Sequence, residues 1–227
     1  RDTVSGDVIV DNSAGNFAVG DGATGYLVSG DIGGAFVHGG ELTVTGYLDT
    51  TADSESSSTN NNDEMAALQA SAGIDITSSI AGGFLIEGSV PAEFRDDSYT
   101  APGNAEITIS GNGPAVWIHG GADLGEVDNS AFDGYGSYGF VNRGELLARG
   151  IYSGIDATGI LIEDATIAGG FRNDRSIRAT SYNGNPTAFR LGAGASLVDF
   201  VNSGTIETAG ASDSGDALNA IAIHVAS

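Results

Sequence analysis

Short apolar runs with strict alternation recur along the whole chain. Val8 to Val10, Glu41 to Thr45, Ile74 to Thr77, Glu106 to Ser110 and Thr205 to Thr208 each carry apolar or β-branched residues at every second position. A period of two marks strands with one buried face. Clusters of Gly, Asn and Asp separate the runs and supply turns. Helical periodicity is nearly absent. Asp63 to Ala70 is the exception: an acidic start followed by good helix formers predicts a turn or two of helix.

The strands belong to a repeat. Phe140-Val-Asn-Arg-Gly-Glu-Leu146, Phe171-Arg-Asn-Asp-Arg-Ser-Ile177 and Phe200-Val-Asn-Ser-Gly-Thr-Ile206 are one phrase, with the Phe residues 31 and 29 positions apart. A second phrase precedes it, clearest at Ala188 to Leu197 and Ala115 to Leu124, and again at Gly159 to Ile167 and Gly83 to Val90. Thr24 to Val28 leads in the same way into Phe36 to Leu42. β-alternation repeating at about 30 residues predicts an all-β fold, a β-solenoid with one structural unit per turn. The whole of residues 1–227 reads as a single such segment, and its ends read as cuts through a longer polypeptide.

Stacking should pile equivalent side chains over one another at about 4.8 Å. The predicted ladders are Phe36, Phe94, Phe140, Phe171 and Phe200; Leu42, Leu146, Ile177 and Ile206; and Ile86, Ile118, Ile162, Leu191 and Ile223. Asn142, Asn173 and Asn202 recur two places after Phe, which suits left-handed turn residues whose amides bond their stacked neighbours. Two stretches break the pattern and read as insertions looping out at turns: about 50–70, opened by a Ser/Thr/Asn run, and about 125–138, rich in Gly, Asp and aromatics.

Composition narrows the partners. The chain carries 30 acidic residues against 8 basic ones, all Arg, for a formal charge of −22. Nucleic acid and anionic membrane surfaces are poor partners for such a surface. Divalent cations, or simple solubility, fit it better. Cysteine is absent, which excludes disulfides and thiolate chemistry. No window approaches the ~20 apolar residues of a membrane helix, so direct membrane insertion of this segment is not expected. Gly reaches 36 residues without a collagen period, in keeping with many tight turns.

The paired phrases Ala-x-x-Ile-x-x-Gly-Ala-x-Leu and Phe-x-Asn-x-Gly-x-Ile, closest at Ala188 to Ile206, resemble the passenger regions of bacterial autotransporters. The resemblance implies a right-handed parallel β-helix at the bacterial cell surface, extracellular, normally joined to a C-terminal β-barrel. That family holds adhesins, proteases, esterases and structural surface proteins, so it implies a location and a shape more than an activity.

Candidate chemistry is sparse. The three histidines, His38, His119 and His224, read either as a metal ladder or as turn-edge residues. No Gly-x-Ser-x-Gly elbow occurs. Asp96, Asp97 and Asp174 with Arg172 and Arg175 are the best carboxylate–arginine cluster for polysaccharide chemistry, yet they fall within the repeat phrase and read better as surface ion pairs. Asp123, Glu126 and Asp128 are weak calcium candidates; no other cofactor is expected. Tyrosines near turns, above all in the 125–138 loop, suggest a surface for glycans. The expectation is a non-catalytic structural or adhesive module, with neighbouring or host cell surfaces, or the rest of the same polypeptide, as partners. A filament or lattice subunit built from further copies, and a carbohydrate-active enzyme, are the alternatives.

Overall fold

In the computed structural model, residues 3–47, 67–213 and 218–226 are described. They form an all-β fold in which every strand pairing among the described residues is parallel. A six-stranded sheet runs Thr24–Val28, Ala72–Ile76, Pro114–Ile118, Ala157–Ile162, Pro186–Leu191, Ile221–Val225. A ten-stranded sheet carries two adjoining columns of strands, one through Phe36 and one through Leu42. A narrow third face is built from Asp31–Ile32, Ala122–Leu124, Ala165–Ile167 and Ser196–Leu197, joined through bridges at Ile80. The chain visits the six-stranded sheet, the narrow face and the ten-stranded sheet in that order, again and again. Each pass hydrogen-bonds to the passes before and after it, so neighbours in space are one repeat apart in sequence.

Equivalent side chains therefore stack. Phe36, Phe84, Phe140, Phe171 and Phe200 are in register, with ring centroids 5.3, 4.7, 4.8 and 5.4 Å apart. The expected spine named Phe94 where the structure has Phe84. The Gly82-Gly83-Phe84 start matches Gly169-Gly170-Phe171 and marks the true position. Phe94 instead closes a short 3-10 turn, Ala92–Phe94, inside an excursion from 87 to 105 that the sequence reading did not separate from the repeat.

Leu42, Ile107, Leu146, Ile177 and Ile206 form the second ladder. In the six-stranded sheet the third ladder is Val28, Ile76, Ile118, Ile162, Leu191 and Val225. Ile86 and Ile223, expected there, belong elsewhere: Ile86 pairs with His38 and Asn142, and Ile223 with Phe189. Both shifts follow from counting the 87–105 excursion and the last strand as ordinary repeat. A fully buried rung of this kind contributes roughly 1.5–3 kcal/mol, partly offset by the entropy of ordering it.

Close approach of strands demands glycine at a few inward positions. A Cβ on Gly73 would lie 2.4 Å from the Ala115 carbonyl oxygen, and one on Gly159 would lie 2.3 Å from that of Ala188. The 125–138 excursion leaves at the corner between Leu124 and Phe140 and does not disturb the register on either side. Most of the expected 50–70 insertion, and the start of the expected helix at 63–70, lie outside the described residues; 67–70 are a turn followed by irregular chain.

Candidate functional site

The three asparagines sit at the ends of the short strands Phe140–Asn142, Phe171–Asn173 and Phe200–Asn202. Asn142 Nδ2 donates to Asn173 Oδ1, and Asn173 Nδ2 to Asn202 Oδ1, both at 2.7 Å. Asn142 Oδ1 accepts the Gly144 amide at 3.1 Å, which turns the chain into the next strand. Their backbones are not left-handed, contrary to expectation; among the described non-glycine residues only Asp164 and Asn183 are. An amide carries both a donor and an acceptor, so one residue type repeated at the repeat interval can propagate a ladder through a buried corner. Above Asn142 in the same column stand Ile86 and then His38. His38 is fully buried, its Nε2 lies 3.5 Å from the Glu106 carbonyl, and its Nδ1 has no partner. Burial pushes the His38 imidazole below its ordinary value.

The most elaborate polar cluster lies outside the main core. The 87–105 and 125–139 segments fold onto the flank of the ten-stranded sheet and enclose a second apolar cluster of Val90, Val127, Tyr135, Tyr138 and Val141. Two buried arginines from the sheet reach into it. Arg172 Nε donates to Asp174 Oδ1 at 2.8 Å, and its Nη1 donates to the Tyr135 carbonyl at 3.1 Å. The same guanidinium lies 4.0 Å from the Tyr135 ring and 4.8 Å from that of Phe94. Arg143 donates from Nε to the Tyr135 hydroxyl at 3.1 Å and from Nη2 to Asn129 Oδ1 at 2.7 Å. The Tyr135 hydroxyl in turn donates to Asp174 Oδ2, and burial pushes its pKa well up. The Asp174 carboxylate is thus wholly buried and paired. Desolvation would make an unpaired charge costly here; the ion pair and the aromatic faces offset it.

This arrangement decides several sequence expectations. Asp174 points inward, whereas Asp96 is exposed and accepts from Ser98, so the two carboxylates do not open onto one surface. Arg175 pairs with Glu145 at 2.8 Å on the exterior. Tyr135 and Tyr138 are buried, so they fasten the 125–138 loop down and offer no exposed platform. Asp128 caps its own turn: the Ser130 amide donates to it and holds its carboxyl below the usual range. Asp123 lies in a strand opposite Thr166. No group of three or more His, Asp or Glu among the described residues could hold a metal ion, so Asp123, Glu126 and Asp128 do not converge on one.

The sequence reading gave no weight to a constellation on the outer face of the six-stranded sheet. The Trp117 and His119 rings stack at 3.9 Å and 22°. His119 Nε2 is 3.0 Å from Asp75 Oδ1, and Trp117 Nε1 donates to Glu163 Oε1 at 3.1 Å. Alternation puts Trp117 and His119 on one face, and register brings Asp75 beside Trp117. His119, His224 and His38 are on separate passes and share no cation site.

No family model matches this chain, and neither a curated protein nor a solved structure matches it.

Proposed function

We propose that the chain winds as a right-handed parallel β-helix and serves as a non-catalytic structural or adhesive module of a bacterial surface protein, of the autotransporter-passenger type. The cyclic order in which the chain visits its sheets supports the winding. Right-handedness follows from the strong preference of parallel crossovers for that hand. One observation carries the functional reading: the recurring asparagines and the best arginine–carboxylate cluster are spent on building. The asparagines are consumed in a ladder, and Arg143, Arg172, Asp174 and Tyr135 in cementing the two excursions.

The exposed shell of those excursions, with Asp96, Asp97, Asp128 and Asp133, is the surface offered to a partner. Its chemistry suits uncharged or basic groups, such as neutral surface glycans or basic patches on a neighbouring cell, and disfavours nucleic acid. The test is a pair of assays on the purified chain. Binding to glycan-coated or whole-cell surfaces, lost on deletion of 125–138 and accompanied by no depolymerisation of polysaccharides, is the expected outcome. Turnover of any polysaccharide, abolished by Glu163→Gln or Asp75→Asn, would overturn the reading in favour of an enzyme.

A further inference from the structure

Arginine is scarce in this chain, and most of the described arginines are committed. Arg143 and Arg172 are consumed in the flank cluster, and Arg95 donates from Nε to the Val90 carbonyl. Arg175 pairs with Glu145, and Arg178 with Glu207 at 2.9 Å. Two others, Arg149 and Arg190, make no side-chain hydrogen bond or ion pair to a described residue. Arg190 is exposed, where water serves it. Arg149 is half-buried, so its guanidinium has given up part of its hydration without a partner in return.

Arg149 lies near the end of strand Glu145–Gly150, and Thr180 and Tyr182 close the paired strand Ser176–Tyr182. Alternation sends Leu146, Ala148, Ile177 and Ala179 into the core and leaves Arg149, Thr180 and Tyr182 on the outer face of the ten-stranded sheet. A cavity of about 160 Å3 is lined by Arg149, Gly150, Ile151, Thr180, Ser181 and Tyr182. Strands pair on both sides of it, so neither end of the chain shapes it: the column runs Thr45, Ser110, Arg149, Thr180, Ala209 and holds no carboxylate. The carboxylates on the same face, Glu145 and Glu207, each have an arginine of their own.

We infer that this niche binds the carboxylate of an acidic sugar residue, a uronic-acid unit of a surface glycan, with Arg149 as the anchor. The inference rests on the adhesive reading above and gives it a second contact, of opposite charge preference to the acidic shell of the excursions. The guanidinium fork matches a planar carboxylate with two parallel hydrogen bonds. One arginine balances one negative charge; on a chain of charge −22 a doubly charged phosphate would lack its second cation. The volume is about half the lower end of the usual range for drug-sized ligands, roughly 300 Å3, so the niche takes one ring of a longer polymer. The Thr180 hydroxyl then meets a ring hydroxyl, and Tyr182 and Ile151 supply apolar surface for the face of the sugar.

The test is a titration of the nitrogen-15-labelled chain with methyl glucuronide, methyl glucoside and acetate, followed by nuclear magnetic resonance. Saturable shifts of the Arg149 Nε–H and the Thr180 amide are expected with the glucuronide. The uncharged glucoside and Arg149→Gln should each weaken binding by about tenfold or more, the size of one lost charge-assisted hydrogen bond. Arg149→Gln should leave the melting temperature nearly unchanged, and Arg190→Gln should leave binding intact. No saturable shift with the glucuronide, binding that survives Arg149→Gln, or acetate bound as tightly as the glucuronide overturns the inference. So does glucuronide binding that appears only after deletion of residues 48–66, which would assign Arg149 to a carboxylate of the chain itself. The two readings fail separately: cell-surface binding retained by a chain that ignores the glucuronide sinks the niche alone, and polysaccharide turnover sinks the adhesive reading while the titration still reports on Arg149.

Discussion

Phe84 and Phe94 offer a sharp test of the register, because ten residues separate them and only one lies in the spine. Phe84 is 0% exposed and stacks between Phe36 at 5.3 Å and Phe140 at 4.7 Å. Replacing it with alanine removes a fully buried ring from a column that cannot collapse, since the paired strands on both sides fix the rise. Phe→Ala in such a site costs about 3–5 kcal/mol. The loss of two ring partners, each worth about 0.5–1.5 kcal/mol beyond area, places Phe84→Ala in the upper half of that range. Phe94 is only half-buried, meets Tyr135 edge-on at 5.5 Å and lies 4.8 Å under Arg172. Its removal forfeits part of a ring's burial and one cation–π contact, about 1–2 kcal/mol together. With a urea slope of about 3 kcal/mol per M, Phe84→Ala lowers the unfolding midpoint by about 1.3–1.7 M and Phe94→Ala by about 0.3–0.7 M. Circular dichroism during urea titration reads both. Equal shifts, or a larger one for Phe94→Ala, would refute the assignment of Phe84 to the spine.

Asn173→Ala leaves the buried Asn142 donor with only the Ser176 carbonyl at 3.5 Å and should cost about 1–3 kcal/mol by denaturant titration, against under about 1 kcal/mol for the exposed Asn202→Ala. Arg172→Met leaves the buried Asp174 without its cation and should cost about 3–5 kcal/mol. Arg175→Met breaks only an exposed pair with Glu145 and should cost under about 1 kcal/mol; similar losses for the two would show that the flank cluster is solvated. His38 has its folded pKa lowered by burial, so the stability it permits is complete above the unfolded value of about 6.5 and is lost as pH falls below that toward the folded value. The melting temperature should fall between pH 7.5 and 5 more steeply in the parent chain than in His38→Asn, and parallel curves would exclude His38 as the cause.

The sequence displayed the spine where the repeat interval was clean. Phe140, Phe171 and Phe200 announce themselves because no excursion separates their passes on the ten-stranded sheet, and Asn142, Asn173 and Asn202 travel with them. Where an excursion intervenes, local likeness misleads. Phe94-Arg-Asp-Asp97 echoes Phe171-Arg-Asn-Asp174, but register is set by the strands that pair, and Phe84 follows the paired glycines while Phe94 follows Pro91. The asparagine ladder was legible as a ladder and misread as left-handed turns, since an Asn satisfies either role and only the backbone torsions choose. The acidic turn at 123–128 shows the same limit. Spacing counts carboxylates but does not say where they point, and Asp128 points at its own Ser130 amide. The Trp117–His119 stack draws both of its polar contacts from other passes, Asp75 and Glu163, proximities that no short window of sequence contains.

The excursions at 87–105 and 125–139 leave at corners, so the distance along the chain from one Phe to the next varies while the distance in space does not. Length and adjacency are thereby uncoupled. A gene encoding such a chain can grow by duplicating one unit, or accept foreign sequence at a bend, without renegotiating any contact already made. Each added copy meets a surface shaped like the one it was copied from, and natural variation is free to act on the protruding bends while the column beneath them stays closed to it.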